Sequence, residues 1–129
     1  MLTENDKINL FGRKKCLCRY FAKRKALKKL NCLIEEADKI LEKYPPVNFS
    51  NVFDTAYIQC EGLVLVMKTW CLAVDNMFFS VFGNFVSDVH QKFNNATLHN
   101  DLHVYAGIRN TLEERRRILI EFRDDIDKQ

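Results

Sequence analysis

Glycine and proline are scarce in this chain, four and two residues out of 129. Tight hairpin turns draw on both, so their scarcity disfavours a sheet of short strands and favours helices. A long uninterrupted apolar run is also missing. The nearest approach, Gly62 to Gly83, contains Lys68, Asp75 and Asn76. Each charge near a bilayer centre costs about 2.5 to 3.5 kcal/mol on insertion scales, so the stretch reads as a buried core helix and not as a membrane span. The opening MLTENDKINL is too polar for a secretory signal. The sequons Asn48-Phe49-Ser50 and Asn95-Ala96-Thr97 are therefore not expected to meet a glycosylation machinery. Five cysteines, Cys16, Cys18, Cys32, Cys60 and Cys71, are an odd number and point to reduced thiols and a cytoplasmic location.

Recognisable catalytic signatures are missing as well. There is no phosphate-cradling GxxxxGK[ST], no GxSxG elbow and no GxGxxG. Helical ribonucleases often set an arginine four to six residues ahead of a histidine; no arginine stands in that window before His90, His99 or His103, and no histidine follows Arg109. His99 and His103 share the four-residue spacing that two metal ligands need on a helix. HNDLH nevertheless lacks the glutamate of a metalloprotease helix and offers no third ligand. Cys16 and Cys18, two apart, point to different faces of a helix and so neither chelate nor cross-link readily. The expectation is a chain that is not an enzyme, with no cofactor and no metal.

Acidic residues are absent from one segment, Gly12 to Leu30, and what stands there instead is basic: Arg13, Lys14, Lys15, Arg19, Lys23, Arg24, Lys25, Lys28 and Lys29. Residues 1–29 carry a net +8 and residues 30–129 a net −5, within a whole-chain charge of +3. A like-charged segment repels itself and is costly to pack, so it is solvated, folds against the acidic remainder, or meets an anionic partner. Nucleic acid, an acidic protein face and anionic lipid are the partners that such a segment suits. Placed at 100° per residue, the bases surround a helix instead of forming one stripe, which suits a protruding end gripped from several sides. Arg115-Arg116-Arg117 could reinforce that surface if the fold brings it near.

Hydrophobic spacing supplies the architecture. Leu27, Leu30, Ile34, Ala37, Leu41 and Tyr44 alternate three and four apart, as in a coiled-coil seam. Extended back past Arg24 to Tyr20 and Leu17, they predict a helix from Lys14 to Tyr44, stopped by Pro45-Pro46. A second helix, capped by Asn48 or Ser50, has the seam Phe53, Tyr57, Cys60, Val64, Met67, Cys71, Val74, Phe78 and Val81. Leu63, Leu65, Val66, Trp70, Leu72, Phe79 and Phe82 widen its apolar surface, so it should be central and touched on several sides. After Gly83-Asn84, Phe85 or Val86, Val89 and Phe93 predict a short third helix. Thr97 or Asn100 would cap a last helix bearing Leu98, Leu102, Tyr105, Ile108, Leu112, Leu119, Phe122 and Ile126, with Arg115 interrupting its seam.

The fold class that follows is all-α, an up-and-down bundle of three long helices plus one short helix, in which residues 1–13 form an N-terminal arm and residues 14–129 a single domain. Helices this long could leave apolar seams for a second copy to cover, making a homodimer. Asp75, set among Leu72, Ala73, Val74, Met77 and Phe78, needs a cation if buried, and Arg24, Lys68 and Arg115 are the candidates.

Trp70, Asn76 and Val81-Phe82-Gly83, followed by Phe93 and then Tyr105-Ala106-Gly107-Ile108 leading into a long charged helix, form a W-x5-N-x4-VFG…F…Y-x-GI pattern. Over roughly residues 30 to 125 it resembles small helical domains found beside effector modules in bacterial antiviral defence proteins. The resemblance implies a sensing or adaptor bundle from a bacterium or a phage, with Trp70, Asn76 and Gly83 as packing and capping positions, and it carries no catalytic residue. The functional expectation is a non-catalytic binding module whose basic helix end engages a polyanion, nucleic acid or an acidic protein surface, in bacterial defence or phage counter-defence. The alternative is a protein–protein interaction or inhibitor protein that works through apolar helix faces.

Overall fold

A computed structural model describes Thr3 and residues 16–46, 53–82, 87–96 and 104–128 of the chain. The described residues form four helices and no strand: α1 Cys16–Lys43, α2 Phe53–Phe82, α3 Asp88–Asn95 and α4 Val104–Asp127. The all-α bundle of three long helices and one short one is therefore what the chain forms. Helix α1 begins within two residues of the expected start and ends one residue before Tyr44, just ahead of Pro45-Pro46, where the backbone can no longer continue a helix. The predicted arm, residues 1–13, lies outside the described residues apart from Thr3, as do Gly83, Asn84, His99 and His103.

Cross-links between helices show their directions. Along α1, Lys23, Asn31, Asp38 and Tyr44 meet Asp127, Arg123, Arg116 and Arg109 of α4 in reverse order, so the two helices are antiparallel. Helix α2 is antiparallel to α1 as well, because Leu33 meets Trp70 while the earlier Lys29 meets the later Ser80. The short α3 runs back along α2: His90 sits by Asp75 and Phe78, and Phe93 by Trp70. Ascent and descent therefore alternate, and α3 is the abbreviated third leg.

The core is aliphatic along α1 and aromatic where α2, α3 and α4 converge. Leu30, Ala37, Leu63, Val74, Phe93, Leu112, Leu119, Phe122 and Ile126 are fully buried. Phe78 is the hub of the aromatic end, with ring centroids 5.6 Å from Phe122, 6.0 Å from Phe93 and 4.5 Å from the His90 imidazole. Trp70 packs on Phe93 and donates its indole N–H to the Leu33 carbonyl at 2.9 Å. That bond removes the one polar liability of an otherwise apolar side chain. Near the other end, the Tyr105 hydroxyl donates to the Pro45 carbonyl and Arg109 Nε to that of Tyr44. A cation and a hydroxyl thus satisfy carbonyls at the end of α1, where the helix dipole is negative.

Three expectations change at this level. The seam of α2 is rotated: Leu63, Trp70, Val74, Met77, Phe78 and Phe82 are the buried residues, while Val64, Met67, Cys71 and Val81 are half-buried. The residues expected to widen its apolar contact surface do so only in part: Leu63, Trp70 and Phe82 are buried, whereas Leu65, Leu72 and Phe79 are 68%, 64% and 51% exposed. Helix α3 starts later than the hydrophobic spacing suggested, at Asp88, since Ser87 caps it by accepting from the His90 N–H at 2.9 Å. The stretch Glu61–Phe82 has the length and apolarity of a membrane span, and about a third of its most apolar window is buried in the bundle.

Candidate polyanion-binding groove

Lys25, Lys28, Lys29 and Cys32 recur at intervals of three and four and so share one face of α1. Because α2 runs antiparallel beside it, Ala73, Asn76 and Met77 form the opposite wall, and between the two helices lies an open groove of about 630 Å³. Leu33 and Met77, buried in the core, give the groove an apolar floor. Lys29 Nζ donates to the Ser80 hydroxyl at 2.5 Å, which holds one ammonium group across the rim. No carboxylate is among the described lining residues. The groove thus presents three cations, an amide and a hydroxyl above a hydrophobic base, an arrangement that offers hydrogen bonds to anionic oxygens and contact area to an apolar or planar group.

The nine basic residues singled out from the sequence do not act alike. Lys25, Lys28 and Lys29 come together at the groove, whereas exposed Arg24 projects from the neighbouring side of α1. Lys23 is on the opposite side, half-buried, with Nζ 2.8 Å from the Asp127 carbonyl oxygen at the end of α4. It serves as a cationic helix cap and leaves the groove to the others. Arg19 lies on α1 with its side chain outside the described residues, and Arg13, Lys14 and Lys15 fall wholly outside them.

In the second basic cluster Arg116 and Arg117 are already neutralised, as are Arg109 and Arg123 on the same helix. Arg116 pairs with Asp38, Arg117 with Glu114 and Glu121, Arg109 with Glu113, and Arg123 with Asp124. The Arg117 hydrogen bond holds the Glu114 carboxyl below the usual carboxylate range, with burial acting weakly against it. Arg115 takes neutral partners: its guanidinium donates to the Asn94 and Ala96 carbonyls and to Cys71 Sγ, and lies 5.1 Å from the centre of the Phe93 ring. It closes the C-terminal end of α3 and so ties α3 to α4.

Asp75 is half-buried, so the condition under which a lysine or arginine partner was expected is not met. Its partner is His90, with Nε2 2.8 Å from Oδ1, and none of Arg24, Lys68 and Arg115 takes that role. Antiparallel packing of α3 on α2 brings the imidazole there, wedged flat on Phe78 and edge-on to Phe79. The Asp75 side chain stays 36% exposed, so its charge is not stranded in the core and needs no full countercharge. Asn76 is likewise not the packing residue implied by the resemblance, since it is exposed on the groove wall; Trp70 does pack, at 2% exposure.

A smaller groove of about 460 Å³ lies on the other flank of α2, lined by Val64, Met67, Lys68, Cys71, Ile108 and Arg115 among others. Burial pushes the Cys71 thiol above its ordinary pKa, and the nearby Arg115 offsets this only in part. A thiol held protonated is a poor nucleophile. Among the described residues no group of three histidine, cysteine, aspartate or glutamate side chains is placed to hold a metal ion.

The sequence reading named these lysines among nine bases surrounding α1; that three of them line one wall, and what stands opposite, was missed. Ala73, Asn76, Met77 and Ser80 do share a face by their spacing, but nothing local to them says that α1 lies alongside. No protein-family model, no curated protein and no solved structure matches the chain, so the residues themselves carry the functional reading.

Proposed function

We propose that the chain is a non-catalytic binding module that grips a polyanion, foremost a nucleic-acid backbone, along the lysine groove between α1 and α2. One observation carries this reading: among the described ion pairs none uses Lys25, Lys28, Lys29 or Arg24, although the chain has carboxylates to spare for the arginines of α4. Cations that no carboxylate of the described residues neutralises are available at a groove to phosphates, whose binding releases condensed counterions. The lysines supply position and charge but no base specificity. Helix α2 is read as a bundle helix with Lys68 and Asp75 on its outer surface, the thiols as reduced, and the location as cytoplasmic. A role in bacterial defence or phage counter-defence rests on the Trp70-to-Ile108 pattern alone.

Retention of a fluorescent single-stranded oligonucleotide, followed as salt rises from about 50 to 200 mM, tests this function. Affinity should fall steeply with salt, and replacing Lys25, Lys28 and Lys29 together by glutamate should abolish it. Salt-insensitive binding, or binding untouched by those replacements, would rule the reading out. An acidic protein partner would show instead as salt-sensitive capture of a polyglutamate chain in preference to the oligonucleotide.

The exposed Leu65, Leu72 and Phe79 favour a second reading, a protein–protein interaction through the outer face of α2.

A further inference from the structure

Leu65, Leu72 and Phe79 are exactly one heptad apart, so they form a straight apolar line along the outside of α2, about four turns or 21 Å long. Charged residues flank one side of this line: Lys68, exposed, and Asp75, one heptad further along. Neutral polar residues flank the other, Thr69 and Asn76, both exposed. We propose that this face is a two-fold interface at which a second copy of the chain docks, α2 against α2 in antiparallel orientation and centred on Leu72.

The charges select both the partner and the direction. When two identical helices pair antiparallel, the same flank of each meets across the interface, and positions that sum to a constant face each other. With Leu72 on the axis, Leu65 packs on Phe79 of the partner subunit. Lys68 then lies on the same flank as Asp75 of the partner subunit, one residue or about 1.5 Å of rise from level and within reach of its long side chain, and the reciprocal pair forms on the far side of the axis. Parallel pairing brings opposite flanks together, which would set Lys68 and Asp75 against the neutral Thr69 and Asn76 flank of the partner and form no ion pair. The His90 Nε2 contact to Oδ1 fixes the Asp75 carboxylate while leaving it 36% exposed for that second partner. On the Lys68 flank, the groove formed by Val64, Met67, Cys71 and Ile108 continues the apolar surface and extends the area available for burial. On the opposite flank lies the lysine groove, so a two-fold pairing also sets both copies' lysines along one side of the dimer. The interface itself does not depend on what those lysines bind.

Sedimentation equilibrium of the full reduced chain over a range of concentrations tests the interface, with helix content followed by circular dichroism. A reversible dimer is expected. Leu72→Asp should weaken it by about a hundredfold or more, since two carboxylates would then oppose each other on the axis. Lys68→Glu, a change at a position already charged and exposed, should weaken it by about tenfold through the two new Glu–Asp repulsions while leaving helix content unchanged. A chain that stays monomeric at all concentrations overturns the proposal, as does a dimer indifferent to Leu72→Asp. Indifference to Lys68→Glu overturns the antiparallel register. Monomers that bind neutral phosphatidylcholine vesicles, and lose that binding with Leu72→Asp, would assign the face to lipid and equally overturn it.

Discussion

The amino-terminal half of α1 and the middle of α4 are both rich in cations, yet the structure treats them differently. On α4 the arginines are answered by the chain's own acids: Arg116 reaches across to Asp38, and Arg109 and Arg117 find glutamates three or four residues away on their own helix. On α1 no carboxylate occurs between Gly12 and Leu30, so a lysine there has no neighbour of opposite sign within a helical turn. Its partners must come from another helix, and the wall that α2 presents is Ala73, Asn76, Met77 and Ser80, without an acid. A count of bases would rank the two clusters as alternatives. Their neighbours make one a structural lattice and leave the other available.

Several experiments would break or sharpen that contrast. Exchanging Lys25, Lys28 and Lys29 for glutamate should weaken oligonucleotide binding by at least about a hundredfold at low salt. Exchanging Arg116 and Arg117 should leave it within about threefold; equal losses in a fluorescence-anisotropy titration would erase the distinction. Arg115 belongs to the structural group, and Arg115→Ala should cost about 2 kcal/mol in urea unfolding, because it deletes charged hydrogen bonds to two carbonyls and the contact with Phe93. Arg116→Ala removes one surface ion pair and should cost about 0.5 kcal/mol or less in the same assay.

The smallest effect concerns pH. Glu114 is held below its ordinary pKa by Arg117, so the folded state binds its proton less readily than the unfolded state does. The associated stability is present above the ordinary carboxylate range and is lost as pH falls through the depressed folded value. Arg117→Gln should remove this slope from the acid limb of a stability curve, and added salt should flatten it.

Much of the fold was legible because it rests on local rules. Pro45-Pro46 ends α1 whatever surrounds it, and the three-and-four alternation of Leu30, Ile34 and Ala37 marks a face that is indeed buried. Helix α2 was harder. It is apolar nearly all round, so periodicity fixes that it is a helix without fixing its rotation about its own axis. Of the seam as read, Val74 and Phe78 are buried but Val64, Met67 and Cys71 fall on a half-buried flank, and Trp70 and Met77 face the core in their place. The indole bond from Trp70 to the Leu33 carbonyl is one contact that holds this rotation, and it pairs residues 37 positions apart. The site divides along the same line. Lysines spaced along one helix could be read from the chain, but their opposite wall could not, since it depends on the register of α2 against α1.

Composition, hydrophobic spacing and breakers determined by themselves that this protein is helical, where its first long helix ends, and that its charge is divided between an acid-free basic stretch and an acidic remainder. Those properties follow from each residue and its near neighbours. Tertiary structure alone decided that Asp75 meets His90, that Arg115 caps α3, that Leu65, Leu72 and Phe79 face outward, and that Arg116 is paired with a carboxylate of α1 while Lys25, Lys28 and Lys29 meet none from α2. Each of these depends on the rotation and register of helices distant in sequence, which only the packing of the whole bundle can set.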